Sequence, residues 1–353
     1  MATHSIMKHS SHIITCSRSL LCWALILVST TTLAGEFHYQ QLGIAVTPRA
    51  FPNHTAEDID SAFRLAKKLG QSTVSIYQWG NLDLNAAKYM HEKTRAYGMT
   101  SIIGLSPTTL DQGRKELDIP EDVRIAANGW ISFSNPVIRN AFIKKVSEIA
   151  QFKPDYFCLA TEINLLGIQR SDEYIHFATL YKEAYDVVKR ISPQTRVFVS
   201  FQYEWIRILD AKALEANEPQ KIQEYSKLID IFRPKLDVIG LTTYPAEYHD
   251  SPLQMPADYY TWVYQHIPRS DRVLLMEAGW PTQGSGSELE QVLYIARLKD
   301  LLNAVDVEIL AWALLHDVNL GEFNANLNSV GLIYQGGNFK PGLKAFDDLA
   351  PEK

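Results

Sequence analysis

The 353 residues are 46% hydrophobic and 21% charged, the balance of an ordinary globular chain with enough apolar material for a large core. A formal charge of −6, a pI near 5.9 and the lack of a basic stripe interleaved with aromatics argue against nucleic acid or other anionic partners. No Cys-x-x-Cys, His-x-His, His-Glu-x-x-His or Gly-x-Ser-x-Gly occurs, so spacing reveals neither a metal ligand set nor an esterase-type nucleophile, and no cofactor or metal is expected.

Residues 1–34 have the pattern of a secretory signal peptide. Lys8 and Arg18 precede an apolar stretch at 20–28, and small residues end at Ala34, where cleavage is expected. The apolar stretch is about half the ~20 residues a spanning helix needs, so the mature chain is expected to be secreted or periplasmic, with no membrane attachment. Cys16 and Cys22 leave with the leader. Cys158 then remains alone, no internal disulfide can form, and stability must come from packing.

From residue 36 onward, short apolar runs at 43–47, 73–77, 101–105, 156–160, 197–201, 238–242, 273–276 and 309–313 alternate with segments of helical period. No linker-like stretch divides them. Eight such units in one domain, 35–353, fit an α/β fold of the (β/α)8 TIM-barrel type better than an open doubly wound sheet. In the first helical segment Ile59, Ala62, Phe63, Ala66 and Leu69 form the apolar stripe, Thr55 is the expected N-cap, and Gly70 is expected to end the helix in the left-handed conformation. The largest loops are expected after the third run (106–135) and after the fifth (202–220).

Active sites of such barrels lie at the carboxyl ends of the strands. There the fourth run reaches Glu162 and the seventh reaches Glu277, although glutamate is a poor strand residue and costly to bury unpaired. A rim salt bridge would explain either one alone. Two of them, facing each other across a narrow mouth, suit hydrolysis of a glycosidic bond: one carboxyl protonates the departing oxygen while the other acts on the anomeric carbon or a water, with roughly 5–5.5 Å between them for retention. Cys158, Ala160 and Glu162 share one face if the strand is regular. Around the rim stand Arg49, Tyr77, Trp79, Ser106, Asn164, Gln202, Tyr203, Glu204, Trp205, Tyr244, Trp280, Trp312 and His316. Rings with hydrogen-bonding groups between them suit a saccharide. Glu204 reads either as a subsite contact or as a plain surface acid.

Glu162, Tyr244, Glu277 and Trp312, each at the end of its own strand, resemble the arrangement of the clan A retaining glycoside hydrolases, a superfamily of (β/α)8 barrels. The resemblance extends to the closing segment Gly331-Leu-Ile-Tyr-Gln-Gly-Gly-Asn-Phe-Lys340-Pro341 and so covers nearly the whole mature chain. Glu277-Ala-Gly-Trp-Pro281 is similar to the strand-seven motif of the β-1,3-glucanase family. The segments 155–166 and 242–245 are equally similar to endo-β-1,4-galactanase-like or β-mannanase-like members. The resemblance implies Glu162 as acid/base, Glu277 as nucleophile, Tyr244 as hydrogen-bond partner of the nucleophile and Trp312 as floor of the adjacent subsite.

One position departs from the family pattern: Thr161 stands where members usually carry the Asn that contacts the sugar 2-hydroxyl. Either Asn164 or Gln202 reaches that hydroxyl, or the sugar presents it differently, as mannose does, or activity is reduced. The expected resting state has Glu162 protonated, its pKa raised by burial and by a nearby charge, and Glu277 kept ionised by Tyr244 and Arg49. The expected function is that of a monomeric, endo-acting retaining enzyme on a β-linked polysaccharide, with Tyr77, Trp79, Asn164, Gln202 and Trp280 among its substrate contacts. A catalytically silent carbohydrate-binding barrel and a glycosyl transferase of the same fold share these residues.

Overall fold

The computed structural model describes residues 39–110, 113–319, 321 and 325–350. The expected signal peptide lies outside the described residues. Nine parallel strands form one sheet: β1 (Tyr39–Ala45), β2 (Ser72–Gln78), β3 (Thr100–Ser106), β4 (Tyr156–Cys158), β5 (Arg196–Phe198), β6 (Ser200–Gln202), β7 (Ile239–Thr243), β8 (Val273–Ala278) and β9 (Val307–Trp312). Their order is β5-β4-β3-β2-β1-β9-β8-β7-β6.

The fifth run of the sequence is therefore two short strands separated by Val199. β5 pairs with β4, and β6 pairs with β7. Because the chain is continuous from β5 to β6, the ends of this sheet are covalently joined and the ring closes, as the (β/α)8 reading requires.

The barrel interior holds Val74, Ile102, Cys158, Phe198, Leu274 and Met276, while a larger apolar layer packs between the strands and the surrounding helices. The period of two assigns each residue to its side: Leu274 and Met276 face inward, and Val273 and Leu275 face the helices. Among the described residues no helix is long and apolar enough to cross a membrane.

The first helix, Ala56–Leu69, forms as the stripe dictates. Thr55 accepts from the Asp58 N–H at 3.2 Å while the Asp58 carboxylate accepts from the Thr55 N–H at 2.9 Å, a complete capping box. Gly70 ends the helix differently from expectation, with φ −163° and ψ 179°, which is extended backbone. Its requirement is steric, because a Cβ there would lie 2.6 Å from the Leu42 carbonyl oxygen of β1.

The 202–220 segment also differs from expectation. Most of it is the helix Tyr203–Glu215, started by the Gln202 side chain, whose Oε1 accepts from the Trp205 N–H at 2.8 Å. Thr55→Ala removes one half of the capping box and is expected to lower stability by about 1 kcal/mol, read from the midpoint of thermal unfolding.

Candidate active site

Strict alternation along β8 would turn Glu277 toward the helices. The ladder slips instead: Leu241 of β7 faces Leu275, but the next residue, Thr242, faces Glu277, and the pairing with β9 shifts between Leu275 and Ala278. The extra residue in β8 is a β-bulge, a feature that re-aims a side chain, and it brings Glu277 to the cavity at the strand ends.

Glu162 reaches the same cavity by another device. Regular pairing of β4 stops at Cys158, and Ala160 belongs to the outer apolar layer, so the expected common face of Cys158, Ala160 and Glu162 does not exist. Glu162 adopts the left-handed conformation, φ 50° and ψ 39°, just before the helix Ile163–Gln169. That conformation costs a non-glycine residue about 1–2 kcal/mol and is held in place here by its neighbours. The Glu162 N–H donates to Ser200 Oγ at 3.0 Å, and its carbonyl accepts from the Leu165 N–H at 3.1 Å.

Each carboxyl group has its own donors. Arg114 Nε and Nη2 both donate to Glu162 Oε2, at 2.8 and 2.7 Å, and the Thr242 hydroxyl donates to Oε1 at 2.7 Å. Arg114 is itself buried, with φ 46°, and its Nη1 donates to Ser106 Oγ at 2.9 Å. Glu277 accepts from the Tyr244 hydroxyl. Burial, reinforced by the charge on Glu162, pushes the Glu277 carboxyl up to about 7, against the Tyr244 hydrogen bond and the Arg114 charge. The upward push thus falls on Glu277, opposite to the resting state expected from the sequence. Three charge-directed donors on Glu162 are the partners a carboxylate takes.

The cavity measures about 430 Å³. Glu162, Gln202, Tyr244 and Glu277 line it, joined by Trp205 and Tyr248. Glu247 also borders it, its carboxyl raised by burial and by the charge of Glu162.

Other rim candidates lie elsewhere. Trp79 is buried with its edge against Phe142, ring centroids 5.2 Å apart. Trp280 packs on Tyr294, and Trp312 packs between Tyr294 and Phe346 with its indole N–H on the Val330 carbonyl at 2.8 Å. Alternation explains Trp312: Ile309 and Ala311 point into the barrel, so Leu310 and Trp312 point out. Tyr77 is half-buried against the same outer layer.

Asn164 is fully buried and clamps the main chain of Gln202, its Nδ2 donating to the carbonyl at 3.0 Å and its Oδ1 accepting the N–H at 2.8 Å. Arg49 pairs with Asp58 of the capping box, away from Glu277. Glu204, only 1% exposed, is neither a surface acid nor a cavity wall. His316 bonds the Thr47 carbonyl at 2.7 Å.

Arg114 escaped sequence reasoning because it sits inside a long irregular loop, where an arginine has no periodicity to mark it as buried. Among the described residues, no group of three or more His, Cys, Asp or Glu is placed to hold a metal ion.

No protein-family model matches the chain, and no curated protein matches it in sequence. Solved structures do match in fold. The exo-β-1,4-mannosidase Op5Man5 from Opitutaceae bacterium strain TAV5 superposes with a TM-score of 0.62 at 16% identity, over 88% of this chain and 59% of that one. The present chain thus spans about three fifths of that enzyme's length. GH5_18 from Streptomyces cattleya, in complex with GlcNAc, gives a TM-score of 0.66 at 14% identity, covering 88% of this chain and 80% of that one. A fungal β-1,4-galactanase gives 0.56 at 18% identity, covering 81% and 90%. At such identities the shared property is architecture, the (β/α)8 barrel.

Proposed function

We propose that the protein is a secreted retaining glycoside hydrolase that cleaves β-glycosidic bonds within a polysaccharide, with Glu277 as nucleophile and Glu162 as acid/base. The observation that carries this reading is the convergence of the two glutamates, from the ends of β4 and β8, on one cavity with Trp205, Tyr244 and Tyr248 around them. The fold shared with a β-1,4-mannosidase and β-1,4-galactanases supports it.

In this mechanism the Glu277 carboxylate attacks the anomeric carbon while Glu162 gives its proton to the departing oxygen. A covalent glycosyl ester forms on Glu277 and the leaving sugar departs as an alcohol. Glu162, now a carboxylate, takes a proton from water, whose oxygen displaces Glu277 and regenerates both groups. Arg114 occupies Glu162 Oε2 in the substrate-free protein, so proton donation from that oxygen requires the contact to open when sugar binds.

For the 2-hydroxyl, Asn164 is committed to the Gln202 main chain. Gln202 lines the cavity and gives one amide hydrogen to Glu204, which leaves its second for the sugar. The clamp of Arg114 on Glu162 is what favours the second reading, a carbohydrate binder without turnover.

A panel of β-glucan, β-galactan and β-mannan, followed by reducing-end release and product sizing, separates these readings: binding without release would sink the hydrolase. In an active enzyme, Glu277→Ala is expected to lower kcat by at least about four orders of magnitude. Glu162→Ala should lose comparable activity on the polysaccharide but regain turnover with added azide, and substantial unassisted hydrolysis by either variant would remove that residue from the mechanism.

The pH profile follows from Glu277. The reaction needs one proton on the pair, held by Glu162, and the free protein takes that proton up near 7, so kcat/KM should fall by about tenfold per pH unit above about 7. A profile that stays level well above pH 7 would contradict this assignment.

A further inference from the structure

Glu204 occupies the first turn of the helix that follows β6, and it is 1% exposed. Four donors converge on its carboxylate. Oε1 accepts from the Thr243 hydroxyl at 2.5 Å and the Tyr259 hydroxyl at 2.9 Å, while Oε2 accepts from Gln202 Nε2 at 2.9 Å and the Tyr244 N–H at 3.2 Å. Behind Thr243 stands a further hydroxyl pair, Tyr260 at 2.9 Å and Tyr294 2.6 Å beyond it. A neutral glutamine would fold the same helix turn without the cost of burying a carboxyl group. What a carboxylate alone supplies is four acceptor directions and no donor.

Two of the four donors lead straight to the cavity. Gln202 is part of its wall, and Tyr244 is the residue whose hydroxyl donates to Glu277. The Tyr244 ring is also fixed from the side: a Cβ at Gly279 would lie 2.8 Å from its Cε1. The tyrosine is therefore held by its main chain, its ring and its hydroxyl, and Glu204 supplies the first of these.

We propose that Glu204 is a positioning residue: its carboxylate ties the main chain of Tyr244 to the side chain of Gln202, and thereby aims the Tyr244 hydroxyl at Glu277 and the Gln202 amide at the cavity. This rests on the reading of Glu277 as nucleophile. Its distinctive consequence is that Glu204, which does not touch Glu277, sets the protonation of that group. Glu204→Gln can still meet all four partners, its NH₂ turned to the Thr243 and Tyr259 hydroxyls, which rotate to accept it, so the variants that release Tyr244 and Gln202 are Glu204→Leu, which offers no acceptor, and Glu204→Asp, which falls short of them. The Tyr244 hydrogen bond lowers the Glu277 carboxyl, and losing it moves the titration upward.

The test is an infrared titration of the substrate-free protein, with the Glu277 carboxyl band assigned by its loss in Glu277→Gln. Glu204→Leu and Tyr244→Phe are each expected to raise the Glu277 midpoint by about one pH unit, and the double variant no further than either alone. With a cleaved polysaccharide, the alkaline limb of kcat/KM should move upward by the same amount. Should Glu204→Leu fail to fold, Glu204→Asp keeps the carboxyl group but withdraws its oxygens from Tyr244, and the same upward movement is expected. A variant that loses thermal stability while its Glu277 midpoint stays at the wild-type value makes Glu204 a purely structural acid and overturns the proposal. Since the titration needs no turnover, a wild-type protein inactive on every polysaccharide would defeat the hydrolase reading while leaving this measurement to decide the role of Glu204.

Discussion

Repulsion between two carboxyl groups in one cavity is the constraint around which the upper face of this barrel is organised. Neither Glu162 nor Glu277 can be charged without raising the cost of charging the other. The protein divides the burden unequally. Glu162 receives a guanidinium and a hydroxyl, whereas Glu277 receives one phenol and is left near the edge of neutrality at pH 7. The push toward neutrality thus falls on the group that the proposed chemistry needs bare, and the proposed reaction has to redistribute charge between the two.

Behind that pair lies a second layer of buried polar groups: Glu204, Thr243, Tyr259, Tyr260 and Tyr294, linked hydroxyl to hydroxyl and ending on a carboxylate. Such a network is worth its desolvation only when every member is satisfied. It is anchored on β7 and on the helix after β6, two elements that adjoin Tyr244 and Gln202 directly in the chain. Rigidity at the cavity is thus inherited from hydrogen bonds one residue removed from it.

The strand runs were legible because their apolar period and length are local properties, and seven of the eight each coincide with a single strand of the structure. The first helix was legible to its cap, since Thr55 and the stripe of Ala62, Phe63, Ala66 and Leu69 are set by nearest-neighbour spacing. What could not be read was facing. Trp79, Trp280 and Trp312 stand at strand ends as Tyr244 and Glu277 do, yet all three belong to the outer layer. Assigning sides requires knowing where the ladder slips, and the slip beside Glu277 is a property of pairing with β7 and β9 rather than of β8 alone. Arg114 and the Glu204 network were invisible for a related reason: burial of a charged group in a loop or at a helix start depends on what folds over it.

The split of one strand at Val199 has a mechanical meaning. Every other strand of the ring pairs with a neighbour on each side, but here Arg196–Phe198 serve one side and Ser200–Gln202 the other. The two pieces are tied across the split as well, by Ser200 N–H on the Ala160 carbonyl and Asp237 N–H on the Val197 carbonyl, both at 3.0 Å, so the join is a notch that hydrogen bonds bridge. Counting the short way round, the notch lies between the two strands that mount Glu162 and Glu277, and the chain leaving it carries Gln202 and Glu204. The spacing of the acids is therefore held on this side by side-chain bonds as much as by the ladder: Ser200 on the Glu162 N–H, Asn164 on the Gln202 main chain, and the cluster on Glu204 that reaches Thr243 and Tyr244.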